Sequence, residues 1–459
     1  MLNISRLFKF PMIYQKRCIH ASSLDNKLET LALRAAHGKM RELSTTASEY
    51  TVYGWDMSYF SGKVVSYFQF KQIPFRKHYV SLLDFNTVQK KVGYTVMPVV
   101  VSPDGEWIQD SRNIINKVEE LYPTPSVFPS TPNKRFISCL LEAWGDEFWI
   151  PFAMHYRWSF PESSNEDFFR TEAGRHLLPY PFVPDFVKKY AAGKPVKTLR
   201  EFLPVIGVIP SQHTIIESWT QNMLTLLENH FRSHQYLLGG SSPTIGDFGM
   251  VGPLIPHLAR DPYPKETLLN KESHPNIHKW INRMTCVDKE ELDTKPIFSD
   301  NDVIPKTLEP ILAHIFNEFI PMMQEMIPPL RTLKENKKFY TPHSPNGVEE
   351  NSVNKTLPRM LSSIEFPIKG QGDTYTTYKK ATLTFNLYKM QLVLDEYKKM
   401  DASEQKSVKD YLTNFSKNRP QYTGVDGHDE FRTNKDHGKE ILEMDIPRLD
   451  RVNVRVKFV

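Results

Sequence analysis

Residues 50–123 alternate between patterns typical of strands and of helices, and this alternation limits the folds that the chain can adopt. β-branched and aromatic runs predict four strands, at 50–53, 75–80, 98–101 and 106–108. A helical stretch separates the first two and ends near Lys71, and a second helix with apolar residues at helical spacing follows the last strand. The order β-α-β followed by β-β-α predicts a four-stranded mixed sheet with helices packed on it.

Beyond residue 133 the strand patterns give way to helical ones. The predicted helices cover 136–152, 214–233, 245–258, 278–284, 375–400 and 402–415. Segment 160–212 is rich in proline and is interpreted as a long excursion between helices, and 336–356 as a loop or linker. Thr244 and Asp247 match a capping box that would open the 245–258 helix.

These patterns divide the chain into five parts: 1–24, 48–124, 132–300, 301–415 and 416–459. The second part is the α/β domain, the third is all-helical, and the fourth is a mostly helical extension. The last part is polar and lacks periodicity until residues 452–458, where apolar and polar side chains alternate as in a strand.

The N-terminus has the composition of a transit peptide. Arg6, Lys9, Lys16 and Arg17 occur among apolar residues, and no acidic residue precedes Asp25. A basic, acid-free, amphipathic start is typical of mitochondrial import signals, so we expect the mitochondrial matrix as the location. The alternative is a basic N-terminus that carries no targeting signal.

Composition argues against several classes of function. Without those four basic residues the formal charge falls from +5 to +1, so no basic surface for nucleic acid is expected. The chain lacks an apolar run long enough for an integral membrane segment, which favours a soluble protein. Its three cysteines contain no C-x-x-C motif, and its two i,i+4 histidine pairs lack the H-E-x-x-H pattern, so we expect no metal.

Three short segments in the α/β domain carry candidate site residues. Ser58 and Ser61 lie where the first helix begins, and a hydroxyl beside unpaired helix amides can donate to a thiolate. Met97 precedes Pro98 at a strand start, a position where a cis peptide would present the backbone of Met97 to a ligand. The alternatives are N-caps for the two serines and an ordinary trans proline.

The third segment is Asp110-Ser111, which follows the hairpin and opens a helix. Its carboxylate and hydroxyl would suit the α-amino and α-carboxyl groups of a γ-glutamyl moiety. A helix cap is again the alternative.

Together these segments resemble the glutathione transferase superfamily over roughly residues 50–285. Met97-Pro98 is similar to the family's cis-proline motif, Asp110-Ser111 to its E-S pair, and residues 236–247 to the motif that opens a central helix of the helical domain. The resemblance implies a thioredoxin-like N-terminal domain followed by the all-α glutathione transferase domain. Counting back from Lys71 in the family pattern assigns the catalytic position to Ser58.

The resemblance also implies a function, a glutathione-dependent transferase that uses glutathione as co-substrate on an unidentified small electrophile. Met97, Pro98, Asp110 and Ser111 would bind glutathione, and Ser58, with Ser61, would act on the thiol. The alternative is a catalytically silent transferase-like subunit of a mitochondrial complex. Either a homodimer or such a complex is expected as the assembly.

A second-substrate cleft is expected beside residues 153–158. Its candidate residues are His155, Tyr156, Arg157 and Trp158. A guanidinium next to aromatic rings would suit an acidic or planar substrate. The alternative is packing between helices, with Arg157 paired to Glu142 or Asp146.

Overall fold

The computed structural model describes residues 49–93, 96–285, 301–335, 360–370, 374–418 and 437–449. The N-terminal domain contains a four-stranded sheet in the order β2-β1-β3-β4, with β1 parallel to β2 and antiparallel to β3. Its elements are β1 (Tyr50–Gly54), α1 (Tyr59–Phe70), β2 (Phe75–Tyr79), α2 (Asp84–Val92), β3 (Val99–Val101), β4 (Trp107–Gln109) and α3 (Ser111–Leu121). The predicted mixed sheet is confirmed, and α2 is a helix that the patterns did not indicate.

Apolar spacing explains how the helices attach to this sheet. In α1 the side chains of Val64, Tyr67 and Phe68 are completely buried, and in α3 so are Ile114 and Val118. These residues recur every three or four positions and therefore lie on one face of each helix, which packs against the sheet.

The second domain is entirely helical among the described residues of 132–285. It contains α4 (Pro132–Glu147), α5 (Ile150–Trp158), α6 (Asn165–Leu177), α7 (Asp185–Ala191), α8 (Gly193–Phe202), α9 (His213–Ser233), α10 (Ile245–Pro253), α11 (Pro262–Thr267) and α12 (Pro275–Thr285). Segment 160–212 thus forms three α-helices and two short 3-10 helices instead of one long excursion, and the predicted 136–152 helix is divided between α4 and α5.

The α4 and α10 backbones are in direct contact at two glycines. A Cβ on Gly249 would lie 2.6 Å from the Cα atom of Glu142, and a Cβ on Gly145 would lie 2.7 Å from the carbonyl carbon of Gly249. Only glycine allows this approach without a backbone shift. Since α10 also packs against α1, this contact helps to hold the helical domain against the sheet domain.

The extension combines helices with a hairpin. It contains α13 (Glu309–His314), α14 (Ile320–Glu335), β5 (Met360–Lys369), β6 (Tyr375–Leu383), α15 (Thr384–Lys399), α16 (Ala402–Asn418) and α17 (His437–Leu442). The helix predicted for 375–400 is wrong in its first nine residues, which form β6, and α17 lies in a tail for which no helix was predicted. The local sequence pattern did not predict β6, because this strand is determined by pairing with β5 and by packing against distant residues. The Tyr378 hydroxyl, for example, donates to the Ile206 carbonyl at 3.1 Å.

The predicted fold class, an α/β domain, an all-helical domain and a mostly helical extension, is confirmed. The predicted transit segment, the linker at 336–356 and the terminal strand at 452–458 lie outside the described residues. Within the described ranges, none of the helices is both long and apolar enough to span a membrane.

Candidate functional site

The sheet register brings the three predicted segments to one edge of the sheet. Tyr53 near the end of β1 pairs with Val99 at the start of β3, and Val99 pairs with Gln109 at the end of β4. Because β3 runs antiparallel to both neighbours, the segment that follows β1, the one that precedes β3 and the one that follows β4 meet at the same edge. These segments contain Ser58, Met97-Pro98 and Asp110-Ser111 respectively.

Ser58 is the N-cap residue of α1, which was the alternative to a role in binding the thiol. Its Oγ accepts a hydrogen bond from the backbone N–H of Ser61 at a long distance of 3.4 Å, and its backbone is extended. A hydroxyl that accepts one bond keeps its own proton available as a donor. Ser58 is half-buried at the helix N-terminus, where the first-turn amides favour an anion.

Ser61 lies on a different side of α1. It is 2% exposed, and its Oγ is a buried polar atom without a hydrogen-bond partner. A Cβ on Gly54 would lie 2.5 Å from this oxygen, so the serine fits against a glycine at the end of β1. The two serines predicted to act together therefore occupy different environments.

The peptide bond between Met97 and Pro98 is cis, which confirms the prediction made for it. Pro98 is buried and Met97 is half-buried. Both lie immediately before β3, at the centre of the edge that also carries Ser58 and Asp110.

Asp110 has an unusual backbone conformation, with a φ of 77°. Its Oδ1 accepts from the Asn113 N–H at 3.1 Å as the N-cap of α3. Asp110 is 7% exposed and the adjacent Ser111 is 3% exposed. Positive φ is uncommon outside glycine, and such conformations concentrate at functional sites, although here the residue also has a capping role.

The extension contributes a cation near this edge that sequence reasoning missed. Lys389 of α15 is buried and forms an ion pair with Asp146 at 3.0 Å. Burial would lower the pKa of Lys389, but nearby carboxylates, first among them Asp110, raise it above its usual value. A residue so distant along the chain has no local signal that would assign it to this site.

Lys389 belongs to a buried charged network that joins α1, α3, α4 and α15. Lys63 of α1 is completely buried and contacts Glu142 at 2.6 Å and Asp146 at 2.7 Å, while Arg112 of α3 also pairs with Glu142. Burial would raise the pKa of Glu142, but Arg112 and Lys63 hold it below its usual value. Glu142 is therefore ionised and its charge is compensated.

The pKa of Glu147, at the end of α4, shifts in the opposite direction. Burial raises its pKa to about 8, and one of its oxygens accepts from Asn386 of α15 while the other has no partner. The two glutamates on one helix thus differ because one has cations in direct contact and the other does not.

The four candidates for a second-substrate cleft are all buried: His155, Tyr156, Arg157 and Trp158 are 1%, 4%, 4% and 3% exposed. Arg157 pairs with Asp261 at 2.6 Å, and also donates to the Met57 and Pro256 carbonyls. Its partner is thus neither Glu142 nor Asp146, and its donors are used to join the β1–α1 loop to the helical domain. Burial, with the repulsion of His213, lowers the pKa of His155 to about 3.

The capping box of α10 is present, which confirms that prediction. Asp247 accepts from the Thr244 amide at 2.9 Å, and its other oxygen accepts from the Leu237 amide and the Trp280 indole at 3.0 and 3.1 Å. No group of three or more metal-binding side chains occurs within the described ranges.

Comparison with known families identifies the sheet domain. The model of the glutathione S-transferase N-terminal domain matches residues 52–126, which include all the candidate residues at the sheet edge. No curated protein sequence matches the chain.

Solved structures that match part of the chain include several glutathione transferases. One from Rhodospirillum rubrum is 16% identical, with 56% of this chain and 96% of that chain covered and a TM-score of 0.32. The beta-etherase LigF from Sphingobium is 19% identical, with 53% and 98% covered and a TM-score of 0.34. A transferase from Methylobacillus flagellatus with glutathione bound is 16% identical, with 54% and 100% covered and a TM-score of 0.32.

The match to this domain model is consistent with the mixed sheet, with the cis-proline at its edge and with the helical domain that follows. Residues 52–126 of the chain therefore form a glutathione S-transferase N-terminal domain.

Proposed function

We propose that the chain binds glutathione at the edge of the sheet and transfers it to a small electrophile. The observation that supports this most directly is the register of β1, β3 and β4, which brings together Ser58, the cis Met97-Pro98 bond and Asp110-Ser111.

The chemistry of each of these three segments suits a different role in the reaction. The Ser58 hydroxyl donates to the glutathione sulfur, and with the positive end of the α1 dipole it lowers the pKa of that thiol. The backbone of Met97 pairs with the cysteinyl residue, and Asp110 and Ser111 hold the γ-glutamyl end. The thiolate then attacks the electrophilic carbon, forming the carbon–sulfur bond as the leaving group departs with its electron pair.

The location and assembly are proposed from the sequence. The acid-free, basic start supports import into mitochondria with removal of about the first 24 residues. The protein would act there as a homodimer or within a larger complex.

Calorimetric titration with glutathione tests the proposal. We expect saturable binding, and weaker binding of cysteinylglycine, which lacks the γ-glutamyl group. Asp110→Asn retains a capping oxygen but removes the charge, and should weaken glutathione binding by roughly 10-fold without loss of folding. Absence of heat with the folded wild-type protein would refute the proposal.

A second candidate, a catalytically silent subunit, is favoured by a different observation. Helix α15 of the extension packs on α4 and brings the Lys389 charge near Asp110, while Asp110 and Ser111 are almost inaccessible. Retention on immobilised glutathione would support the enzyme, whereas migration in a large complex on a native gel without such retention would support the silent subunit.

A further inference from the structure

The surface segment at 179–190 exposes three large apolar side chains close together. Phe182, Phe186 and Tyr190 are 62%, 75% and 61% exposed. Phe186 and Tyr190 lie four positions apart on α7, so they project from the same face of that helix. Phe182 lies in the turn before the helix, where its ring stacks on that of Tyr180 at a centroid distance of 5.6 Å. Such a cluster on a surface indicates a contact with something outside the chain.

Helix α7 is oriented in the opposite way from an ordinary surface helix. None of its 7 residues is buried. The Lys188 side chain is only 13% exposed, because this side of the helix packs on α6. There a Cβ on Gly174 would lie 2.5 Å from the carbonyl carbon of Lys188, so the two backbones are in direct contact. This contact fixes α7 with its aromatic face towards the solvent.

The exposed apolar surface continues onto the sheet domain. Tyr79, at the end of β2, and Leu83 are each 37% exposed. The Tyr79 ring stacks on His176 of α6 at 4.2 Å, and the Leu82 amide donates to the Leu177 carbonyl at 3.1 Å. These contacts hold both residues beside the segment that carries the aromatic side chains. We call the following residues the apolar patch: Tyr79, Leu83, Phe182, Phe186 and Tyr190.

Cations surround the apolar patch. Residues 179–202 include five basic residues and two acidic ones, namely Lys188, Lys189, Lys194, Lys197 and Arg200 against Asp185 and Glu201. Lys189 follows Phe186 by three positions and therefore lies on the aromatic face of α7. Lys189 and Arg200 pair with Asp167 and Glu166 of α6, but exposed pairs of this kind contribute little and can be exchanged for another anion. The segment therefore has an excess of positive charge.

We propose that the apolar patch binds the surface of an anionic phospholipid membrane. The aromatic side chains enter the headgroup region, and the neighbouring lysine ammonium groups pair with lipid phosphates. Surfaces that bind other proteins are depleted in lysine, whereas aromatic side chains next to several lysines are typical of helices that lie on a membrane. The chain is attached from one side, and this attachment does not require glutathione.

Flotation of the full chain with phospholipid vesicles tests the proposal. We expect binding to vesicles of phosphatidylcholine mixed with phosphatidylglycerol, and weaker binding to phosphatidylcholine alone or at high salt. The double change Phe182→Ser and Phe186→Ser should lower the partition coefficient on the mixed vesicles by roughly 10-fold. Lys189→Gln should lower it by roughly 3–5-fold, because each cation near an anionic surface contributes to the attraction.

Two changes outside the apolar patch are the matched controls. Leu121→Ser replaces another exposed apolar side chain, and Lys406→Gln removes another lysine from an exposed ion pair. Neither should change the partition coefficient. The patch variants should unfold at the wild-type temperature, because the side chains that they change are largely exposed.

The proposal is overturned by an absence of flotation, by equal binding to neutral and anionic vesicles, or by patch variants that bind like their controls. Light scattering without lipid gives the native mass, which the double phenylalanine variant is expected to leave unchanged. A wild-type dimer that becomes a monomer in this variant would instead assign the apolar patch to a second copy of the chain.

Discussion

The sheet edge and the interface between α1, α4 and α15 both concentrate polar groups, but they satisfy them differently. At the interface Lys63 is completely buried and contacts two carboxylates at 2.6 and 2.7 Å. At the edge Ser58 is half-buried and accepts one long bond of 3.4 Å. Groups with compensated charges stabilise the fold, whereas groups with spare donor capacity are available to a ligand.

The largest loss of stability is expected at the interface, where the buried charges are paired with opposite charges. Lys63→Met leaves Glu142 and Asp146 buried with one cation fewer, and should lower the free energy of unfolding by about 3–5 kcal/mol. Urea unfolding measures this change. The control is Lys406→Met, which breaks an exposed i,i+4 pair with Asp410 and should cost at most about 0.5 kcal/mol. Similar small losses for both variants would remove the distinction between the two regions.

The second-largest loss of stability is expected from a change to the N-terminal cap of α10. Asp247 accepts bonds from Thr244, Leu237 and Trp280, more than the capping box alone would provide. Asp247→Ala should therefore lower the free energy of unfolding by about 2–4 kcal/mol, without a specific effect on glutathione affinity. Denaturant unfolding and calorimetry of the same preparation check both parts. A normally stable variant with altered glutathione binding would instead assign Asp247 to the site.

Glu147 provides a smaller, pH-dependent comparison within the interface. Its pKa is raised to about 8 in the folded chain, so its contribution to stability is full below pH 4.5 and is lost as the pH rises towards 8. Glu147→Gln removes this titration while keeping an oxygen for Asn386. The variant should gain stability relative to wild type over that window, by about 2 kcal/mol between pH 4.5 and pH 6.

Stability measured against pH for both proteins tests this. A difference between them that grows from pH 5 to pH 8 is expected. Parallel profiles would show that Glu147 keeps an ordinary pKa in the folded state.

Sequence reasoning succeeded where the determinants are local. The strands of the sheet domain and the capping box of α10 depend on residues a few positions apart. It also named the three segments that the register of β1, β3 and β4 brings to one edge of the sheet.

It failed where the determinants are distant in the chain. Residues 375–383 contain two lysines and an alanine, which are common in helices, but pairing with β5 makes them a strand. Lys389 was missed for the same reason, and Ser61, although named, was not expected to be buried without a hydrogen-bond partner, since each feature depends on the packing of separate elements. Helix packing was the stated alternative for Arg157, but its partner was expected to be Glu142 or Asp146, because Asp261 lies about one hundred positions away.

The account's central claim is that the sheet edge binds glutathione and that Ser58 stabilises its thiolate. The most direct measurement is a pH titration of the thiolate absorbance of bound glutathione in wild type, Ser58→Ala and Ser273→Ala, the last an exposed serine before α12. The account predicts a bound-thiol pKa below that of free glutathione, an increase of about one to two pH units in Ser58→Ala, and no change in Ser273→Ala. A bound thiol that titrates like free glutathione, or an unchanged pKa in Ser58→Ala, would contradict it.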